Sequence, residues 1–486
     1  MYSILHISDL HRSDADPANN DSLIAALLDD HDRYRLEVPP VRSPDAIIVS
    51  GDLVQGVRIG TENFALQTRA QYEVAEQLLD VLCRRFIDGD RRRLILIPGN
   101  HDVCWNTARA SMEELPVKEY PADIRGALLQ QDSPYRWSWK DRKLYRVRDT
   151  ITYNKRLDHY WDFVEGFYKD ISLALPIDRS RGYQLFVVDN DRIVIAAFDS
   201  LTGNDCFGYS GAIQTGAVAR CNIQLRDMEK HFSLKIAVWH HSIQGPPLRE
   251  DYMDVRQVNE MAGLGFQLGL HGHQHIAATT THYIHLNERR AMGVISGGSL
   301  CAGFNELPRG TNRQYNVIVI GDDYAKARLH VREMVEGEQF SSKRNGAFTE
   351  GYCDISWQPP RDTAGRIIDA AANANREIVL KAEAALRGGC PHDALALLQD
   401  ASKPPASYAR DIAIQAATQA KDWRELLRIL RTPSTIDEHV LVVTALTQIG
   451  HLTAAEKALS VINGITESLR KELTDQIFLK RMMSNQ

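Results

Sequence analysis

The sequence predicts an α/β domain built as a two-sheet β-sandwich flanked by helices, followed by an all-α domain of helical repeats. Three observations lead there. Over about the first 335 residues, short β-rich apolar runs alternate with longer amphipathic segments, and the first three runs end in polar or glycine-containing turns. The later runs are hairpin-like, which favours two sheets over a simple doubly wound one. From about Ala364 the composition turns to Ala, Leu, Ile and Gln with 3.6-residue periodicity. The expected divisions are a first domain over 1–335, a linker over 336–363 and a helical domain over 364–486.

In chain order, strands are expected at Ser3–Ile7, Ala46–Ser50, Leu94–Ile97, Tyr183–Val188, Ile193–Phe198, Leu234–Trp239, Gln267–His271, Tyr283–Leu286, Met292–Ser296, Asn316–Ile320 and Ala327–Val331. Helical patterns lie between several of them, as at Ser22–Asp30 and Ala70–Arg85. The segment 336–363 has Gly, Ser, Pro and isolated aromatics without periodicity, which reads as a linker packed on the first domain. Three similar helix starts follow, at Pro391-His392-Asp393, Lys421-Asp422-Trp423 and His451-Leu452-Thr453. A repeat near 30 residues with paired helices reads as a short α-solenoid similar to tetratricopeptide repeats, with a plain helical bundle as the alternative.

The bulk numbers bound the function. A chain of 486 residues fits two or three domains. Apolar residues at 44% and charged residues at 25% exclude a disordered or fibrous chain. No window approaches 18 uncharged apolar residues, so no membrane helix is expected, and the first residues read as a core strand rather than a leader. Seven scattered cysteines, never paired as CxxC, suit reduced thiols in a cytoplasm. A net charge of −6 argues against simple electrostatic nucleic-acid binding by the whole chain.

Chemistry-bearing residues gather at five strand ends. Ser8-Asp9-Leu10-His11 follows the first strand, Gly51-Asp52 the second and Gly99-Asn100-His101-Asp102 the third. Trp239-His240-His241 and His271-Gly272-His273-Gln274-His275 close two later strands. Each alone is ordinary turn chemistry. Together they line one sheet edge with carboxylates, an amide and imidazoles, and burying that many polar groups requires a shared partner. Two divalent cations are such a partner. Residues i and i+2 of an extended segment point the same way, so Asp9 and His11 reach one ion, and His273 and His275 reach the site together. Asp52 is placed to bridge the ions. Mixed nitrogen and oxygen donors suit Mn, Fe, Zn, Ni or Co better than Ca or Mg.

The ordered set DxH, GD, GNHD, H and GHxH resembles that of the calcineurin-like metallophosphoesterases, over about residues 1–335. The resemblance implies a dinuclear site in which Asp9, His11 and His275 bind one ion, Asp52 bridges, and Asn100, His240 and His273 bind the other. It gives catalytic roles to His101, near the leaving-group oxygen, and to Asp102, which would orient His101. It favours His240 over His241 as ligand and leaves His241 a supporting or substrate-binding role. Manganese is the expected metal. The implied reaction is attack on a phosphate ester by hydroxide activated between two ions. One departure is Gly51-Asp52-Leu53-Val54-Gln55, which lacks the second acid that some members carry.

Substrate choice falls to the long gap between Asp102 and Gln184. Its segment from Tyr135 to Arg156 holds 8 basic and 2 acidic residues with Tyr135, Trp137, Trp139, Tyr145 and Tyr153 interleaved. Cations for phosphates and rings for bases are what single-stranded nucleic-acid binding uses, which makes Arg142, Lys143 and Arg146 candidate substrate contacts. The alternative is a solvated basic helix or hairpin whose aromatics pack on the domain. The leading expectation is therefore a phosphodiesterase or nuclease acting on DNA, RNA or nucleotides. The alternatives are a phosphomonoesterase, or a sensor whose effector is the phosphoesterase. Residues 366–486 carry 15 basic and 14 acidic side chains, a near-neutral balance that suits protein partners or self-association. Joining a phosphoesterase to short helical repeats also resembles the architecture of bacterial defence proteins.

Overall fold

The computed structural model describes residues 1–13, 19–129, 133–228, 230–243, 251–283, 291–302, 307–308, 310–335, 337–357, 378–379, 381–386, 388–399, 407–433, 435–462 and 464–484. They fall into two compact units, Met1–Pro359 and Pro360–Gln486. The strands of the first unit are β1 (Tyr2–Ile7), β2 (Ala46–Val49), β3 (Leu94–Leu96), β4 (Met112–Glu114), β5 (Tyr135–Ser138), β6 (Lys143–Val147), β7 (Tyr183–Val188) and β8 (Ile193–Phe198). They continue with β9 (Leu234–Val238), β10 (Leu268–His271), β11 (Ala278–Tyr283), β12 (Ala291–Ser296), β13 (Gln314–Ile320), β14 (Lys326–Val335), β15 (Gln339–Ser342) and β16 (Cys353–Ser356).

Two mixed sheets carry the fold. One runs β15-β14-β13-β1-β2-β3, with β16 also paired to β14; the other runs β11-β12-β10-β9-β8-β7. Alternation along the strands explains the layering. In β8, Ile193, Ile195 and Ala197 join the core shared with Leu5, Ile7 and Ile48 of the first sheet. The intervening Val194, Ala196 and Phe198 face a second core with Val218, Leu225 and Met261, from the helices Ala217–Asp227 and Val255–Gly263. The first sheet's core also takes Leu23 and Leu27 from the helix Asn20–Arg33 and Leu78 and Leu79 from Phe64–Phe86. Both faces of the second sheet are therefore covered, which is why its parallel strands read as continuous apolar runs.

Three expectations change. The strand expected to open at Tyr283 instead ends there: β11 pairs with β12 from Ala278↔Ser296 to Tyr283↔Ala291. The threonines Thr279–Thr281 suit that pairing, and residues 284–286 lie outside the described ones. Residues 337–357, expected as linker, hold β15 and β16 against β14, with Phe340 and Trp357 in the core. Short edge strands need no long periodic pattern, so isolated aromatics were their visible sign. Finally, the gap before Gln184 contains a three-stranded sheet, β4-β6-β5.

In the second unit, the helices Pro391–Gln399, Trp423–Ile429 and Leu452–Ser460 alternate with Ser407–Gln419, Ile436–Gln448 and Glu467–Ser484. Successive helices pack on one another around Leu395, Ile412, Leu426, Val443 and Leu473. Asp422 and Thr435 cap their helices by accepting backbone N–H groups three residues on. The seven cysteines are free thiols. Among the described residues no helix is long and apolar enough to cross a membrane.

Candidate metal centre

Parallel pairing brings the motif residues together. Strands β1, β2 and β3 are parallel neighbours in the first sheet, and β9 and β10 are parallel neighbours in the second. Asp9, Asp52 and Asn100 follow the carboxyl ends of the first three, and His240 and His273 follow those of β9 and β10. The residues thus come from two sheets that meet at one end, rather than from one sheet edge. Backbone bonds hold the turns in register: Asp9 N–H donates to the Gly51 carbonyl (3.1 Å), His11 N–H to the Asp52 carbonyl (2.9 Å) and Gly272 N–H to the His240 carbonyl (3.0 Å).

The donors converge. His11 Nε2 lies 3.2 Å from His275 Nε2, and His275 Nε2 lies 3.4 Å from Asp9 Oδ1. His240 Nε2 and His273 Nδ1 each lie 2.9 Å from Asn100 Oδ1. Asp52 Oδ2 is 3.2 Å from His240 Nε2 and 3.8 Å from His11 Nε2, between the two groups. Asp9, His11 and His275 form one metal-competent cluster, Asp9, Asp52 and His240 another, and His11, Asp52 and His101 a third.

The backbone is distorted where the donors sit. Asp9, His11, Asp52, His273 and His275 all have positive φ, between 45° and 77°. Asp9 and His11 therefore converge through left-handed turns and not, as expected, by alternation along an extended segment. Such conformations cost of order 1 kcal/mol or more each and persist where function requires them. Close approach also demands glycine. A Cβ on Gly99 would lie 2.2 Å from Asp52 Oδ1, and one on Gly272 would lie 1.8 Å from Ser8 Oγ and 2.7 Å from Asp9 Oδ2.

The donor set fits divalent ions. Asp9 and Asp52 are 0% and 1% exposed, and among the described residues neither meets Lys or Arg. Burial pushes both carboxyls up, but the facing imidazoles, His275 for Asp9 and His240 for Asp52, hold them below the ordinary range. His240, which burial alone would lower, is raised to about 9 by Asp52. The pocket thus calls for positive charge that, among the described residues, comes only from a protonated imidazole. His11 Nδ1 is buried without a hydrogen-bond partner among the described residues. His240 Nδ1 donates to the Ser50 carbonyl (2.8 Å), which leaves Nε2 on the donor side.

The remaining sequence candidates separate. His101 Nδ1 donates to the Gln55 carbonyl (2.8 Å), and its ring stands edge-on to His11 at 4.5 Å. Asp102 does not orient His101. Its carboxylate accepts from Gly99 N–H (2.8 Å), Leu53 N–H (3.2 Å) and Tyr72 O–H (2.9 Å), and burial followed by the Asp52 charge raises it to about 7. The backbone carbonyl of Gln55 stands where an acid was missing. His241 is not a substrate contact: it is fully buried, with Nδ1 at 2.9 Å from Ser200 Oγ and Nε2 at 3.2 Å from Asn204 Nδ2. Its ring backs His273 at 4.9 Å. Ser200 and Asn204 went unnoticed in the sequence, although Ser200 follows the end of β8 by the same rule that located the ligands. In the insertion, Lys143 pairs with Glu114 (2.7 Å), and Arg146 and Arg148 with Glu113. Arg136 is held by Asp205, and Arg156 by the carbonyls of Tyr153, Leu201 and Asn204. Lys143 and Arg146 are thus engaged within the β4-β6-β5 sheet, while Arg142 stands exposed in its turn.

The family model for calcineurin-like phosphoesterases matches residues 2–277, a span that contains every motif from Asp9 to His275. This chain belongs to that family. Calcineurin-like phosphoesterases use a dinuclear metal centre, and the buried Asp/His groups of this phosphoesterase domain are candidates to form it. Among solved structures, a dimetal phosphatase from Danio rerio is similar at 10% identity and a TM-score of 0.35, covering 74% of this chain and 99% of that one. The calcineurin-like phosphoesterase YfkN from Bacillus subtilis is similar at 12% and 0.30, over 74% and 90%. Zinc-bound Vps29 from Entamoeba histolytica follows at 10% and 0.23, over 73% and 98%. The family match alone carries the assignment. No curated protein matches the chain.

Proposed function

We propose that the phosphoesterase domain hydrolyses phosphodiesters of nucleic acid or nucleotides with two divalent ions, manganese foremost. The observation that carries this reading is the convergence of His11, His275, His240, His273 and Asn100 around two buried carboxylates, Asp9 and Asp52, that lack any Lys or Arg partner among the described residues. Asp9, His11 and His275 would hold one ion, Asn100, His240 and His273 the other, and Asp52 both. Bound there, the ions supply Lewis acidity toward a phosphate oxygen and a water acidic enough to act near pH 7.

The chain's own residues do the rest. The Ser50 carbonyl fixes the His240 tautomer, and His241, braced by Ser200 and Asn204, fixes the His273 ring. His101, its Nδ1–H held by the Gln55 carbonyl, offers Nε2 as the group that hydrogen-bonds or protonates the leaving oxygen. The choice of diester draws support from the inserted sheet, whose β5–β6 turn exposes an aromatic ring and two cations. Manganese-loaded full-length chain is expected to turn over bis-p-nitrophenyl phosphate and DNA or RNA faster than p-nitrophenyl phosphate. Hydrolysis of the monoester alone would replace this reading with that of a phosphomonoesterase.

The second unit is proposed to mediate protein contact or self-association. Its helix pairs start at Pro391, Trp423 and Leu452, intervals near the ~30 residues of tetratricopeptide-type repeats. Identical oligomer size and partner binding after truncation at residue 359 would remove that role.

A further inference from the structure

We propose that the turn between β5 and β6 is a hook for single-stranded nucleic acid, in which Trp139 stacks on a base while Lys140 and Arg142 meet the flanking phosphates. The choice of ligand rests on the phosphodiesterase reading.

Trp139 is 81% exposed, the most exposed tryptophan or tyrosine among the described residues. An indole left in water at a turn is unusual, since burying such a ring removes about 150–250 Å² of largely apolar surface from solvent. Its ring stands edge-on to Trp137 (6.1 Å, 79°), which stands edge-on to Tyr120 (6.4 Å, 82°). Trp139 is thus the outermost rung of an aromatic ladder with a free π-face. The turn's acid is tied back: Asp141 Oδ2 accepts from Ser138 Oγ (2.9 Å), and Asp141 N–H donates to the same oxygen (3.1 Å). Lys140 and Arg142 are exposed, and no carboxylate pairs with either among the described residues. Arg142 occupies a left-handed turn position, φ 55°. Other cations in and beside the sheet are held by carboxylates: Lys143 pairs with Glu114, and Arg146 and Arg148 share Glu113. Lys140 and Arg142 share the turn with the exposed ring, and cations beside a stacking ring are the arrangement single-strand binders use.

The hook is fastened to the metal centre. Arg136 on β5, about 10 Å along the strand from Trp139, pairs with buried Asp205, which also accepts from Tyr153 O–H (2.7 Å). The neighbouring Asn204 meets His241, whose ring backs His273. A strand gripped at Trp139 is therefore held by the same framework that positions the metal donors.

The test uses full-length chain in EDTA with fluorescein-labelled dT12, read by anisotropy across a salt series. Trp139→Ala is expected to weaken binding about 5- to 150-fold and Trp139→Phe much less, as stacking predicts. Lys140→Ala with Arg142→Ala is expected to reduce the slope of log K against log salt by about 1.4, for two single-strand phosphate contacts. Unchanged affinity in Trp139→Ala overturns the hook. So does a Trp139-dependent affinity for phosphatidylserine vesicles without one for dT12. Wild-type chain that cleaves bis-p-nitrophenyl phosphate but does not bind dT12 loses the hook and keeps the phosphodiesterase. Wild-type chain that binds dT12 through Trp139 but does not cleave the dye keeps the hook and loses the phosphodiesterase.

Discussion

The metal centre and the β4-β6-β5 sheet were both conspicuous in the sequence, one for ordered motifs and the other for net charge, and they fared differently in three dimensions. At the centre, the motif residues stand at strands' carboxyl ends beside one another, and among the described residues Asp9 and Asp52 meet imidazoles but no Lys or Arg. In the sheet, the segment counted as +6 meets Glu113, Glu114 and Asp205, all outside the counted window. The contrast teaches that a motif carries its geometry with it, because strand end, glycine and donor are consecutive. A charge count carries none, because its partners come from elsewhere in the chain.

The sharpest way to break this comparison is Asp52→Asn. It removes the carboxylate between both donor groups, and activity is expected to fall about a thousandfold or more, with metal content below two ions per chain. An active, fully metallated Asp52→Asn protein would refute the bridging role. Next in size, His101→Ala is expected to lower turnover about 10²–10⁴-fold with both ions retained. Loss of an ion, measured by elemental analysis, would make His101 a ligand. His241→Ala should weaken metal binding about 10–100-fold by removing the ring behind His273. Equal affinity in a metal titration would reduce His241 to packing. The smallest effect belongs to Arg146→Ala, whose guanidinium faces Glu113: nucleic-acid cleavage and its salt dependence should stay as in the wild type. A marked loss there would restore Arg146 as a substrate contact and undo the contrast.

Much of the fold was legible because buried parallel strands read as apolar runs and end in turn residues. The strands at Tyr183–Val188 and Ile193–Phe198 agree with the sequence to the residue. The short strands β4, β15 and β16 were not legible, since they lack the continuous apolar run that marked the equally short β2 and β3. Within the site, donor identities were legible and their supports were not. Gln55 holds His101 with a backbone carbonyl, which leaves no side-chain signature. The resemblance implied Asp102 as a partner for His101, yet its carboxylate accepts from the backbone N–H groups of Gly99 and Leu53.

By itself the sequence determined the class of chemistry, because aspartate, asparagine and histidine at five strand ends are the donors a dinuclear site needs, and the order of the motifs does not depend on packing. Only the tertiary structure decided how those donors meet. Two sheets bring them together, five of them adopt left-handed backbone, and the His240 ring faces Asp52 while the His241 ring meets Ser200. Only the tertiary structure, too, separated the basic residues that are internally paired from the two beside Trp139, since ion pairing depends on distance in space and not on distance along the chain.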